Sequence, residues 1–174
     1  MNTWELEECG GWTLVSRILR GTREPWVWIG PSALLNRIGL NGKGLYAAKK
    51  FKIGDLIGKY SGRELGRFHS ETECDTYASN RSLSDMVLMC RVGQRESGFL
   101  LIDGSTGCAP YLQYVNDAKG TGKKNNSKLT SFGNLYAQST IEALEKPHMN
   151  IQHELCFSYG RNFWKNSRNN TFLQ

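Results

Sequence analysis

Short apolar runs, each closed within a few residues by glycine, asparagine or aspartate, constrain the fold of this chain more than any other feature. With 19 glycines and only 4 prolines in 174 residues, the sequence favours tight turns over long helices. It reads as a mostly β domain with short helices. Residues 12–19 and 25–30 are expected as two strands of a flanking hairpin or sheet edge, and residues 44–48 and 55–62 as a strand pair joined through the turn at 51–54. One helix is expected to start at Ser70, where Ser70 and Glu73 have the spacing of a capping box, and to end near Asn80. Aliphatic residues 86–92 and 98–104 form a further hairpin, residues 116–128 a polar loop, and residues 134–138 and 155–159 the last strands.

The chain is long enough for one real core and short for two. Five cysteines without a CxxC pair point to neither a zinc cluster nor a disulfide framework, and so to reduced thiols inside a cell. The N-terminus is acidic and lacks a basic segment followed by an apolar run, and no stretch is long and apolar enough to span a membrane, so no membrane association is expected. The formal net charge of +6 includes Lys119, Lys123, Lys124 and Lys128 in one stretch, and Arg161, Lys165 and Arg168 in another. Such a surface is ordinarily solvated, though it would also help docking to nucleic acid. His69, His148 and His153 share no metal-like spacing with a cysteine or an acid, and no metal site is expected.

Three segments far apart in the chain carry the chemistry. The first is Gly42-Lys43-Gly44-Leu45-Tyr46-Ala47-Ala48, followed by a stretch ending in Tyr60-Ser61-Gly62. The second runs from Ile102-Asp103-Gly104 to Tyr114-Val115-Asn116-Asp117-Ala118, with Asn125-Asn126 after it. The third is Glu154-Leu155-Cys156-Phe157-Ser158-Tyr159-Gly160, followed by Phe163-Trp164. A glycine-x-glycine turn alone is weak, because such turns are common. Its order and spacing with an asparagine-centred loop and an ELxFxYG ending are specific. Together the segments resemble the signature regions of the SET-domain protein lysine methyltransferases, in particular minimal stand-alone SET proteins.

The resemblance divides the chain into an N-terminal flank at 1–30, a SET domain at 31–165 and a tail at 166–174. It implies small sheets around a knot-like crossing of the C-terminal segment with the Asn116 loop, and S-adenosylmethionine as cofactor. Gly42, Lys43, Gly44 and Leu45 would form the cofactor turn, Tyr60, Asn116 and Asp117 would stand around its amino-acid end, and Phe163 or Trp164 would wall the adenine. Tyr159 would be the catalytic hydroxyl that orients the substrate amine, and Phe157, two residues before it, would set how many methyl groups are added. A protein carrying the target lysine is the implied partner, with a histone the first expectation; contact with nucleosomal DNA and a nuclear place would follow from that. Two departures stand out: Asp117 and Ala118 replace the family's histidine and serine. They leave two other readings open: a SET-fold protein-binding module with impaired catalysis, and a basic β-domain that binds nucleic acid on its aromatic side chains.

Overall fold

Alternation of inward and outward side chains builds the largest sheet, in the order β1 (Thr3–Cys9), β2 (Trp12–Leu19), β3 (Thr22–Pro31) and β4 (Lys43–Ala47), all antiparallel. The computed structural model describes residues 3–81, 87–91, 98–104 and 111–159. Val15, Val27, Ile29, Leu45 and Ala47 share one face of this sheet and are buried in the main core. The opposite face buries Trp12 and Tyr46 against Leu144, with Trp28 donating its indole N–H to the Leu144 carbonyl at 3.0 Å. Trp12 lies flat over β3 at Gly30, where a Cβ would fall 2.1 Å from its ring.

A bulge turns Trp26 toward the core: Val15 pairs with Val27, but the next residue, Ser16, pairs with Pro25. The Trp26 indole donates to the Ile57 carbonyl at 2.8 Å, and the cations of Arg17 and Lys49 lie over its ring at 4.2 and 4.4 Å.

The expected strand pair at 44–48 and 55–62 is not a hairpin. β4 pairs with β3, whereas β5 (Leu56–Lys59) enters a second sheet in the order β5, β10 (Asn134–Ala137), β9 (Ser127–Leu129). Between them Phe51 pairs with Ile141, and the turn through Gly54, at φ +86°, carries the chain from one sheet to the other. β9 also lies partly within the stretch read as polar loop. The third sheet runs β6 (Arg63–Phe68), β8 (Phe99–Asp103), β7 (Val87–Arg91), so that the expected β7–β8 hairpin pairing is present and a third strand adds to it.

The helix expected at Ser70 is α2 (Glu71–Ser79), with the Ser70 hydroxyl accepting from the Glu73 N–H at 3.2 Å. The Glu73 carboxylate reaches back to the His69 N–H at 2.8 Å. A shorter helix, α1 (Ala33–Arg37), begins after Ser32, whose hydroxyl accepts from the Leu35 N–H. Residues 155–159 form no regular strand and make two isolated bridges beside them, Tyr46 with Glu154 and Asn116 with Cys156. No helix among the described residues is long and apolar enough to cross a membrane.

Candidate functional site

Residues 154–159 are laced between three other parts of the chain, and their hydrogen bonds assemble the site. The Leu155 N–H donates to the Leu45 carbonyl at 2.7 Å, tying the segment to β4. The Cys156 N–H donates to the Asn126 side-chain oxygen at 3.0 Å, and the Cys156 carbonyl accepts from the Ser127 N–H and hydroxyl. The Phe157 N–H then donates to the Asn116 carbonyl at 3.0 Å, and the Tyr159 N–H to Asp117 Oδ2 at 2.9 Å. Asn116 and Tyr159, 43 residues apart in sequence, are thereby held side by side. The residues from 160 onward, on which the knot-like course of this crossing depends, lie outside the described residues, as do Phe163 and Trp164.

The Tyr159 hydroxyl donates to the Val115 carbonyl at 2.7 Å, which fixes its rotor and puts its oxygen in the role of acceptor. Its ring packs edge to face on Phe157, with centroids 5.2 Å apart, and Phe157 is itself buried. Asp117 explains how the loop is built around a carboxylate. One oxygen takes the Tyr159 N–H, and the other takes the Lys119 N–H at 3.0 Å, so this buried side chain caps two backbone donors.

Asn116 is committed within the protein. Its amide donates to the Lys43 carbonyl at 3.0 Å, to the Ser32 hydroxyl at 3.2 Å and to Glu154 Oε1 at 3.2 Å. It therefore bridges the start of β4 to the C-terminal segment; of the residues expected as a cofactor turn, Lys43, Gly44 and Leu45 are strand residues paired with β3. The Gly42 carbonyl accepts from the Ser32 N–H at 2.9 Å, and Leu45 is a core residue of β4. Lys43 extends its ammonium over the Tyr114 ring, 5.6 Å from the centroid. Gly44 is required by packing, because a Cβ there would fall 2.3 Å from Glu154 Oε1 and 3.1 Å from Ser32 Cα.

Glu154 was read in the sequence only as part of a motif, and the structure gives it a larger part. Fully buried, it accepts from the Ser32 hydroxyl at 2.6 Å and from the Leu34 N–H at 2.9 Å besides the Asn116 amide. Asn126 was likewise read only as part of a motif, and Lys123 was missed as a builder of the site. The Lys123 ammonium binds the carbonyls of Ile151 and Glu154, and burial lowers its pKa. Nothing in the sequence distinguished it from its neighbour Lys124, which is exposed.

Tyr60 lies in the main core that also holds Val115 and Phe157. It is packed by Gly104 and Gly133, close enough to Cys90 and Asp103 for their charges to act on it, and burial pushes its hydroxyl up to about 12, so it is a neutral group. A polar cavity of about 320 Å³ is lined by Gly122, Lys123, Lys124, Asn126, Ser139, Thr140 and Gln152. None of the residues expected around the cofactor or the lysine is among its walls. No group of three or more His, Cys, Asp or Glu among the described residues is arranged to hold a metal ion.

With this arrangement in view, comparison with known proteins bears on the fold. No family model and no curated protein matches the chain. Among solved structures it is similar to the methyltransferase domain of human PR domain-containing protein 2, at 21% identity and a TM-score of 0.51, covering 83% of this chain and 82% of that one. The fold is that of a SET domain. Small antiparallel sheets with few short helices, and a C-terminal segment brought back against the Asn116 loop, are the features this SET fold uses to build the site.

Proposed function

We propose that the chain is an S-adenosylmethionine-dependent protein-lysine N-methyltransferase acting on a histone. The observation that carries the reading is the junction itself. A tyrosine hydroxyl anchored on the Val115 carbonyl stands beside Phe157 and beside a loop whose Asn116 reaches the glycine turn. The donor set suits the cofactor. Behind the start of β4 lies the buried Glu154 carboxylate, which accepts from the Ser32 hydroxyl, the Leu34 N–H and the Asn116 amide, with the Lys123 ammonium on the Glu154 main-chain carbonyl. Gly42, Lys43, Gly44, Leu45 and the Asn116–Asp117 loop would hold the cofactor, with Tyr60 on the far side and Phe163 or Trp164 at the adenine.

When bound, S-adenosylmethionine supplies an electrophilic methyl on a sulfonium. Tyr159 would accept a hydrogen bond from the neutral substrate amine and aim its lone pair, while the Val115 carbonyl holds the hydroxyl in place. Asp117 fixes the backbone of Tyr159 and so the height of that hydroxyl. No side chain of the cluster is placed as a dedicated base, and the amine proton leaves to water. Phe157 would leave a water beside the amine loosely held, favouring di- or trimethyl product. Phe157→Tyr should shift a peptide run to completion toward monomethyl, read by mass spectrometry; unchanged product would return Phe157 to packing.

Incubation with labelled cofactor and either histones or whole-cell lysate, followed by mapping of the labelled lysine, tests the activity. The commitment of the Asn116 amide to protein partners favours a second reading, a SET-fold module that binds protein without turnover. Isothermal titration separates the two, since heat on adding S-adenosylmethionine counts against the inert module.

A further inference from the structure

The polar cavity beside the junction takes no part in the reaction proposed above, and its walls are of one electrostatic kind. They hold two lysines, two hydroxyl residues and two side-chain amides, and no acid. Lys123 and Asn126 serve the fold, the ammonium on the carbonyls of Ile151 and Glu154 and the amide on the Glu154 carbonyl at 2.9 Å. The other four do not. Lys124, Ser139, Thr140 and Gln152 are exposed, and their side chains make no hydrogen bond or ion pair with any described residue. The positive charge also runs on past the cavity. From Ala118 to Ile141 the chain carries four lysines and no aspartate or glutamate, and Lys119 and Lys128, before and after the cavity residues, are exposed. The acids that border this stretch are engaged: Asp117 accepts the N–H groups of Lys119 and Tyr159, and Glu142 pairs with Lys50 at 3.0 Å.

We infer that this cavity is a phosphate seat through which the protein docks on the backbone of duplex DNA. The inference stands apart from the methyltransferase reading and does not need it. Hydroxyls, amides and lysine are the side chains that hold phosphate oxygens without reading bases, and an acid-free wall admits the anion without repulsion. A duplex repeats that anion along its length, so Lys119 and Lys128 can meet neighbouring phosphates while one group enters the cavity. A single phosphate, free or on a side chain, would leave those flanking charges unused. The contact is therefore expected to be independent of base sequence and sensitive to salt.

The test is fluorescence anisotropy with a short labelled duplex of mixed sequence, over a series of salt concentrations. Lys124, Ser139 and Thr140 are exposed and unpaired, so their variants keep the fold. Lys124→Glu should weaken the duplex about tenfold and lower the slope of log K against log salt by about one. Replacing Ser139 and Thr140 together by alanine should weaken it about threefold with the slope unchanged, because neutral donors release no counterion. Arg20→Glu makes the same change in net charge in the exposed turn at the far end of β3 from Ser32, and should leave the affinity within about twofold. Equal losses in Lys124→Glu and Arg20→Glu overturn the inference, since net charge alone would then explain the binding. A wild type that does not bind the duplex also overturns it. Isothermal titration with inorganic phosphate distinguishes the remaining source: loss of that anion in Lys124→Glu with duplex binding unchanged would make the cavity a seat for a single phosphate and overturn the docking on DNA.

Discussion

Two regions of this molecule treat polar residues in opposite ways. Around the junction of β4, the Asn116 loop and residues 154–159, Ser32, Asp117, Asn126, Ser127 and Glu154 are buried and share hydrogen bonds. In the lobe of β6, β8, β7 and α2, the described polar groups stay on the surface apart from Asp103, which is buried at the end of β8 and faces the exposed Arg63 guanidinium at 3.9 Å. There Cys74 is the buried residue of α2, the Arg67–Glu64 pair is exposed, and Tyr77 is half-buried between Phe68 and the Arg81 guanidinium. A buried polar group must find a specific partner or incur desolvation, whereas a surface pair contributes little and can be replaced. The junction is therefore held by specific polar partners, while the lobe joins the main core through apolar residues such as Cys90 and Ile102.

Paired glycine substitutions put the greatest strain on that contrast. Gly44→Ala should destabilise the fold by about 3 kcal/mol, because its Cβ would meet both a fixed carboxylate and the Ser32 backbone. Gly98→Ala, in the lobe, meets among the described residues the Phe68 carbonyl at an ordinary 3.5 Å and should leave stability within about 1 kcal/mol of the wild type. Denaturant unfolding of the two proteins measures the difference, and equal effects would remove the distinction between the regions.

Tyr159→Phe takes one oxygen from the junction and leaves the packing on Phe157 intact. Turnover should fall about 10²-fold, equivalent to ~2.7 kcal/mol in the barrier, with cofactor affinity unchanged. Single-turnover kinetics with titration of the cofactor reads both quantities. Wild-type turnover in this variant would make Tyr159 a packing residue.

Asn116→Ala is expected to cost about 2 kcal/mol of stability, because the Lys43 carbonyl and Glu154 each lose a donor. Cofactor affinity should fall with it, since the same amide holds the glycine turn against the C-terminal segment. A stability loss with an unchanged dissociation constant would confine Asn116 to the scaffold.

The smallest effect is predicted in the lobe. Ser70→Ala removes the hydroxyl cap of α2 and should cost about 1 kcal/mol, without change in cofactor binding or turnover. Hydrogen exchange localised to α2, together with an activity assay, checks this. A fall in activity would show that the lobe is coupled to the junction.

Local pattern determined much of this protein on its own. The strands β2 and β3, the β7–β8 pairing and the capped start of α2 were legible because their signals lie within a few residues of one another: alternation, turn residues and a capping spacing. The juxtaposition of Asn116 with Tyr159 was legible only through resemblance to a family. β1 was missed because its apolar Trp4 and Leu6 alternate with glutamates on an exposed edge, where its pairing with β2 supplies what its own composition does not.

Tertiary structure alone decided the rest. The partners of β4 and β5 depend on Phe51 meeting Ile141, 90 residues away, and no local period encodes that choice. The same holds for Glu154 and Gly44. In sequence they are a glutamate before a leucine and a glycine in a turn, 110 residues apart; in the fold the carboxylate occupies the space a Cβ would need. Burial turns an ordinary acid into a hydrogen-bond acceptor shared by Ser32, Leu34 and Asn116 beside the candidate site, and burial is a property of the assembled chain.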